Sequence, residues 1–148
     1  QPPRGPSRWQ RWRQLPAHER GLVVRLALLL PAIDLLLRTI GFQRARAWLA
    51  RWVPASALIR AVDAASLAYA RRMADLARAV GSRSPWRTTC LRQALAVWLL
   101  LRRRQLPAEV RIGVIAGQAP FQAHAWVELD GVALDPLAAA HSAFPPLT

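Results

Sequence analysis

Apolar residues recur at Leu22, Leu26, Leu29, Ile33, Leu36 and Ile40, three or four positions apart, which is the period of one buried helix face. Arg25, Pro31, Asp34 and Arg38 interrupt the run. A membrane span needs about 20 largely uncharged residues, so this stretch reads as a core helix, kinked near Pro31 and ended by Gly41. Gln43 to Trp52 predicts a second short helix stopped by Pro54, and Ser56 offers an N-cap to a third. In that third helix Leu58, Val62, Ala65, Tyr69, Met73, Leu76 and Val80 repeat up to Gly81, while Arg60, Asp63, Arg71, Asp75 and Arg78 mark the outer face. Ser84-Pro85 and Thr88-Thr89 then signal another start, and Cys90 to Gln105 contains neither Gly nor Pro. Leu91, Leu95, Trp98 and Leu99 give this helix its apolar stripe, and Arg102, Arg103 and Arg104 complement the dipole at its far end.

Beyond it the period changes from helical to alternating. Glu109 to Ala116 predicts a strand, Gly117 to Pro120 a loop, and Asp130-Gly131 a two-residue hairpin turn between Phe121–Leu129 and Val132–Asp135. That turn sets Leu129 against Val132, Val127 against Leu134, and Trp126 against Asp135. His124, Trp126, Glu128, Ala133 and Asp135 then share one face, and the apolar set Ala125, Val127, Leu129, Val132 and Leu134 takes the core face. His124 and Asp135 become diagonal neighbours, roughly 7–8 Å apart at the backbone and within side-chain reach. Glu128 sits too far along the strand to take the place of Asp135.

Cys90, the only cysteine, falls in the first turn of its helix, where unpaired N–H groups and the positive end of the dipole favour a thiolate. A lone cysteine in a helix is most often a small buried hydrophobe, and a lone strand histidine is usually a structural hydrogen-bonder. The joint placement of three residues argues otherwise. Cys90, His124 and Asp135 stand where a nucleophile, a base and its orienting carboxylate are needed. Trp126 shares the site face and is a candidate wall for the substrate, with ordinary packing as the alternative. Gln122 and Gln118, beside the predicted loop, are candidate substrate contacts, and the Gln93 amide is a candidate oxyanion support. One cysteine and the scattered His18, His124 and His141 form no metal-ligand cluster, so neither metal nor other cofactor is expected.

The stretch from Cys90 to Pro136 resembles the core of the transglutaminase-like cysteine peptidases: a cysteine at a helix start, a His-x-Trp-x-Glu strand, then a strand ending in Asp-Pro. Within that group, Cys-Leu-x-x-Ala-Leu, the basic run Leu-Leu-Leu-Arg-Arg-Arg, the strand from Val110 to Val114, and Phe121 to Glu128 resemble the leader peptidases of lasso peptide biosynthesis. Leu-Pro-Ala-His-Glu-Arg from Leu15 and the apolar helices after it are similar to that family's helical half. Gln105 departs from the pattern, standing where glycine would close the helix. The resemblance implies a cysteine protease that removes the leader from a ribosomally made lasso precursor. It also implies a separate leader-recognition protein as partner, since no winged-helix strand pattern is visible, together with the macrolactam-forming cyclase.

Length and composition fit one compact α+β unit of 148 residues, 53% of them hydrophobic. The expected architecture is an N-terminal helical subdomain over residues 1–81 and a catalytic core over 82–148. In that core a central nucleophile-bearing helix packs on a small antiparallel sheet, in the transglutaminase and papain manner. A single cysteine excludes an internal disulfide and fits a reducing, cytoplasmic setting. All 21 basic residues are arginine, and lysine and asparagine are absent, so part of the +13 net charge reflects a GC-rich coding sequence. The charge is uneven: residues 1–104 hold 20 arginines against 4 acids, net +16, whereas residues 105–148 are net −3. The basic half suits an acidic peptide or partner, or a peripheral membrane contact, and no nucleic acid is expected. Residues 1–14 carry Arg4, Arg8, Arg11 and Arg13 with Trp9 and Trp12, as a disordered segment or a short amphipathic helix, and residues 137–148 read as a loosely ordered tail. Two other functional classes fit parts of the pattern: an acyltransferase using the same three residues, and a non-catalytic nucleic-acid or membrane binder.

Overall fold

The computed structural model describes residues 7–54, 60–83, 89–114, 123–140 and 142–143. Ser7 opens α1 (Arg8–Gln14) with a reciprocal capping box, its hydroxyl accepting from the Gln10 amide while Gln10 Oε1 accepts from the Ser7 amide. From Arg8 to Gln14 the Arg/Trp segment is therefore a short helix in its own right, and residues 1–6 lie outside the described residues. Next, α2 (Ala17–Ala50) runs from before Leu22 to near the end of the expected second helix. Helical backbone continues through Pro31, and the break falls at Gly41, with φ 76° and ψ 171°. The kink expected at Pro31 is thus displaced ten residues, to the position where only glycine enters the left-handed region cheaply.

The third helix, α3 (Ala64–Arg83), begins later than its apolar repeat suggests. Its cap is Asp63, whose Oδ1 accepts from the Ser66 amide at 2.7 Å and whose carbonyl accepts from Leu67 at 3.0 Å. The hydrogen bonds from Ser66 hold the Asp63 carboxyl below its ordinary range. Ser56 and Leu58 lie outside the described residues, and Val62 packs against the core without being helical.

At the centre is α4 (Cys90–Arg103), which contacts α2 and α3 as well as the sheet. Ala94 through Leu99 and Leu101 are all buried, so the helix is covered nearly all round. Leu95 and Leu101 are fully buried, each worth about 1.5–3 kcal/mol of transfer free energy. Arg104 follows, its guanidinium over the Tyr69 ring at 4.2 Å, and burial pushes the Tyr69 hydroxyl above its ordinary range.

The sheet has the order β3-β2-β1-β4, with β1 Ala108–Val114, β2 Ala123–Leu129, β3 Val132–Ala133 and β4 Ser142–Ala143, every neighbour antiparallel. Asp130 and Gly131 both have positive φ, 51° and 75°, as a primed hairpin turn requires. Leu129 faces Val132 as predicted, and the Leu134 amide donating to Val127 at 2.9 Å carries the register past the end of β3. The expected loose tail is corrected at residues 137–140 and 142–143, while residues 141 and 144–148 lie outside the described residues. Pro136–Ala140 forms a 3-10 helix, and β4 pairs with Gly113 and Val114. The free edge of β1 supplies that strand with hydrogen-bond partners, which composition alone could not reveal. The fold is α+β, with one hydrophobic cluster joining α2, α3, α4, β1 and β2. Among the described residues no helix is long and apolar enough to cross a membrane.

Candidate active site

Cys90 is the first residue of α4, half-buried against the core. The Arg92 and Gln93 amides donate back to the Thr89 carbonyl at 3.1 and 3.3 Å, which leaves the Cys90 and Leu91 amides as the two the helix itself does not satisfy. Arg92 places a positive charge in this first turn, against the dipole. Asp34 of α2 offsets it: Arg92 Nη2 lies 2.6 Å from Asp34 Oδ1, with both side chains 13% exposed. The same oxygen accepts from Arg38 Nε at 2.9 Å. This buried pair ties the start of the cysteine helix to α2. Asp34 and Arg38, read from sequence as interruptions of an apolar run, are therefore connections. The signal was the position of Asp34, four residues after Leu30 on the buried face, where an acid demands a cation.

His124, in β2, meets Asp135 directly, Nε2 to Oδ2 at 2.8 Å. The other oxygen of Asp135 accepts from the Leu137 amide at 2.9 Å and lies 3.5 Å from Arg78 Nη1. Three groups from three elements thus orient one carboxylate. Arg78, assigned by periodicity to the outer face of α3, is the residue the sequence reading missed. It bridges Asp75 and Asp135. Its neighbour Ala77 is fully buried, so the helix side is close enough to the core for a long side chain to reach over.

Trp126 is buried, its ring stacked on His124 with centroids 5.9 Å apart and planes at 22°. The indole Nε1 donates to Glu128 Oε1 at 3.2 Å, and Arg111 Nε stands 3.4 Å from Glu128 Oε2 without hydrogen-bond geometry. Glu128 therefore supports the ring that packs on the histidine, while Asp135 holds the histidine itself. Cys90, Gln93, Trp126, Arg78 and Asp135 all line one small cleft of about 30 Å³. A far larger concavity lies between α1, α2 and α3, and none of Cys90, Gln93, Trp126, Arg78 and Asp135 lines it. Gln122 and Gln118 lie outside the described residues, as does His141. Among the described residues no His, Cys, Asp and Glu cluster is able to hold a metal ion.

The arrangement is a half-buried thiol at a helix start, sharing one cleft with the carboxylate that holds the His124 imidazole, and family comparison gives it a context. Residues 35–148, well over half of the chain, match the family described as the transglutaminase-like superfamily. The chain belongs to the transglutaminase-like superfamily. Comparison with curated proteins and with solved structures finds no match. Members of the transglutaminase-like superfamily are typically cysteine peptidases or transferases. The matched stretch starts inside α2 and contains Cys90, His124 and Asp135, and also Asp34-paired Arg92 and Asp135-paired Arg78.

Proposed function

We propose that this transglutaminase-like protein is a cysteine peptidase that removes the leader from a lasso precursor peptide. The observation that carries the reading is the 2.8 Å His124–Asp135 pair, with Asp135 and Cys90 lining the same cleft. The motif likeness from Cys90 to Pro136 supplies the substrate class. Asp135 engages Nε2, so Nδ1 is the nitrogen that takes the thiol proton. The thiolate attacks the scissile carbonyl, the Cys90 and Leu91 amides receive the oxyanion, and His124 returns its proton to the leaving amine. Water then adds to the thioester with His124 as base, releasing the carboxylic acid and restoring the thiol. A separate leader-recognition protein delivers the precursor, and the macrolactam-forming cyclase uses the released core.

The test is incubation of a lasso precursor peptide with this chain and a leader-recognition protein, read as product masses. Hydrolysed leader supports the proposal, whereas an adduct formed when an amine is supplied points to acyl transfer. Cys90→Ala should reduce cleavage at least about 10³-fold while leaving the circular dichroism unchanged, because the half-buried thiol contributes little packing. Wild-type turnover by Cys90→Ala would end the assignment.

A further inference from the structure

The concavity between α1, α2 and α3 encloses about 750 Å³, within the range of ligand-binding pockets. Its floor is apolar, with Leu30 and Leu76 buried beneath it and Val80 half-buried along one side. Trp12 of α1 also lines it, so the short helix at Arg8–Gln14 contributes to the groove. Alanines at 27 and 79 keep the space between α2 and α3 open.

Four charged residues stand around this floor: Arg11, Arg72, Arg83 and Asp75. Two are already committed, Arg72 in a two-pronged pair with Glu19 and Asp75 to Arg78. Arg11 and Arg83 are exposed and have no carboxylate partner among the described residues. The groove therefore offers recessed apolar surface with two cationic groups at its rim. A flat bilayer cannot reach a floor as recessed as Leu30, at 1% exposure, whereas a single aliphatic side chain can. Stacked bases would call for an exposed aromatic platform, and Trp12 is half-buried.

Asp75 also connects this groove to the catalytic cleft. It lines the groove and pairs with Arg78, which lines the cleft beside Cys90 and reaches Asp135. The Asp75–Arg78 pair is thus shared between the linings of the two concavities. We propose that the α1–α2–α3 groove docks a segment of the substrate peptide that carries aliphatic side chains next to carboxylates, a reading that rests on the peptidase function of the adjoining cleft.

The experiment uses the full-length Cys90→Ala protein and a short fluorescein-labelled peptide of leucine and glutamate, with its lysine-for-glutamate counterpart, titrated by anisotropy. The acidic peptide should bind at least about tenfold tighter than the basic one, and the preference should shrink as salt is raised. Combined Arg11→Glu and Arg83→Glu, both on exposed positions, should invert that preference. Ala79→Trp, which fills the groove, should weaken the acidic peptide by about tenfold or more. Equal affinity for the two peptides, or affinity untouched by the charge reversal, overturns the proposal. So does a change in sedimentation of the chain alone on charge reversal, which would make the occupant a second copy, or loss of anionic-vesicle binding with no change in peptide binding. Because the binding assay needs no thiol, the readings separate. Peptide docking without precursor cleavage by the wild-type chain together with its recognition partner would sink the peptidase, and cleavage without docking would sink the groove.

Discussion

At the scale of single residues, the site depends on how firmly one carboxylate is held. Asp135 receives His124, the Leu137 amide and Arg78, so replacing it with asparagine removes the charge that stabilises an imidazolium while keeping the shape. Asp135→Asn is expected to lower kcat/KM about 10²-fold, His124→Ala to approach the loss of Cys90→Ala, and Arg78→Gln to cost several-fold only. Glu128→Gln keeps an acceptor for the Trp126 indole and should fall by less than about threefold. Steady-state kinetics on a labelled precursor will rank the four, and a Glu128→Gln defect larger than that of Asp135→Asn would exchange their roles. His124 and Asp135 were legible from the hairpin register, because alternation and a two-residue turn leave one solution. Arg78 was not, since helical period places a side chain on a face but says nothing of how far a long one reaches across to another element.

Among the elements, α4 does most to set the site, and its two ends are built differently. Its start has no side-chain cap and is held instead by the Arg92–Asp34 pair across to α2. Its end turns at Gln105, which has φ 62°, in the left-handed region where glycine belongs. The odd residue noticed in the sequence thus sits at a strained backbone position. Gln105→Gly should relieve that strain and raise stability by about 0.5–1 kcal/mol, net of the added freedom of the unfolded chain, measurable as a higher midpoint in urea. A lower midpoint would show that the glutamine side chain contributes more than its backbone costs. Helix limits were read well at Gly41 and near Gly81, and misread at Asp63, placed on an outer face yet capping α3, and at Pro31, whose ring the long α2 carries without leaving helical backbone.

For the molecule as a whole, the connection between the first half of α2 and α3 is electrostatic as well as apolar. Glu19 is buried, and its carboxylate takes Arg72 through Nε at 2.7 Å and Nη2 at 2.8 Å. The hydrogen bond from Arg72 holds the Glu19 carboxyl below its ordinary range, and the Arg72 guanidinium is raised in return. A depressed carboxyl contributes stability that is complete above the unfolded value and lost as pH falls through the folded one. Stability should therefore drop below about pH 4.5, and Glu19→Gln should flatten that decline while costing about 1–2 kcal/mol at neutral pH. The half-exposed arginine keeps the cost below that of a fully buried pair. Urea melts at pH 7 and across the acid range will check both, and an unchanged acid limb would remove Glu19 from the account.

Periodicity, turn chemistry and charge sign are local properties, so the sequence by itself determined the succession of helices, the Asp130-Gly131 hairpin, the α+β class and the facing of His124 with Asp135. Tertiary structure alone decided which partners distant side chains find. Arg92 meets Asp34, Arg72 meets Glu19, Arg78 meets Asp135, and Ser142 and Ala143 join β1 as a fourth strand. Each of these contacts depends on how helices and strands far apart in the chain approach one another. That approach is set by the summed burial of a core cluster to which α2, α3, α4, β1 and β2 all contribute, and no short window of sequence contains it.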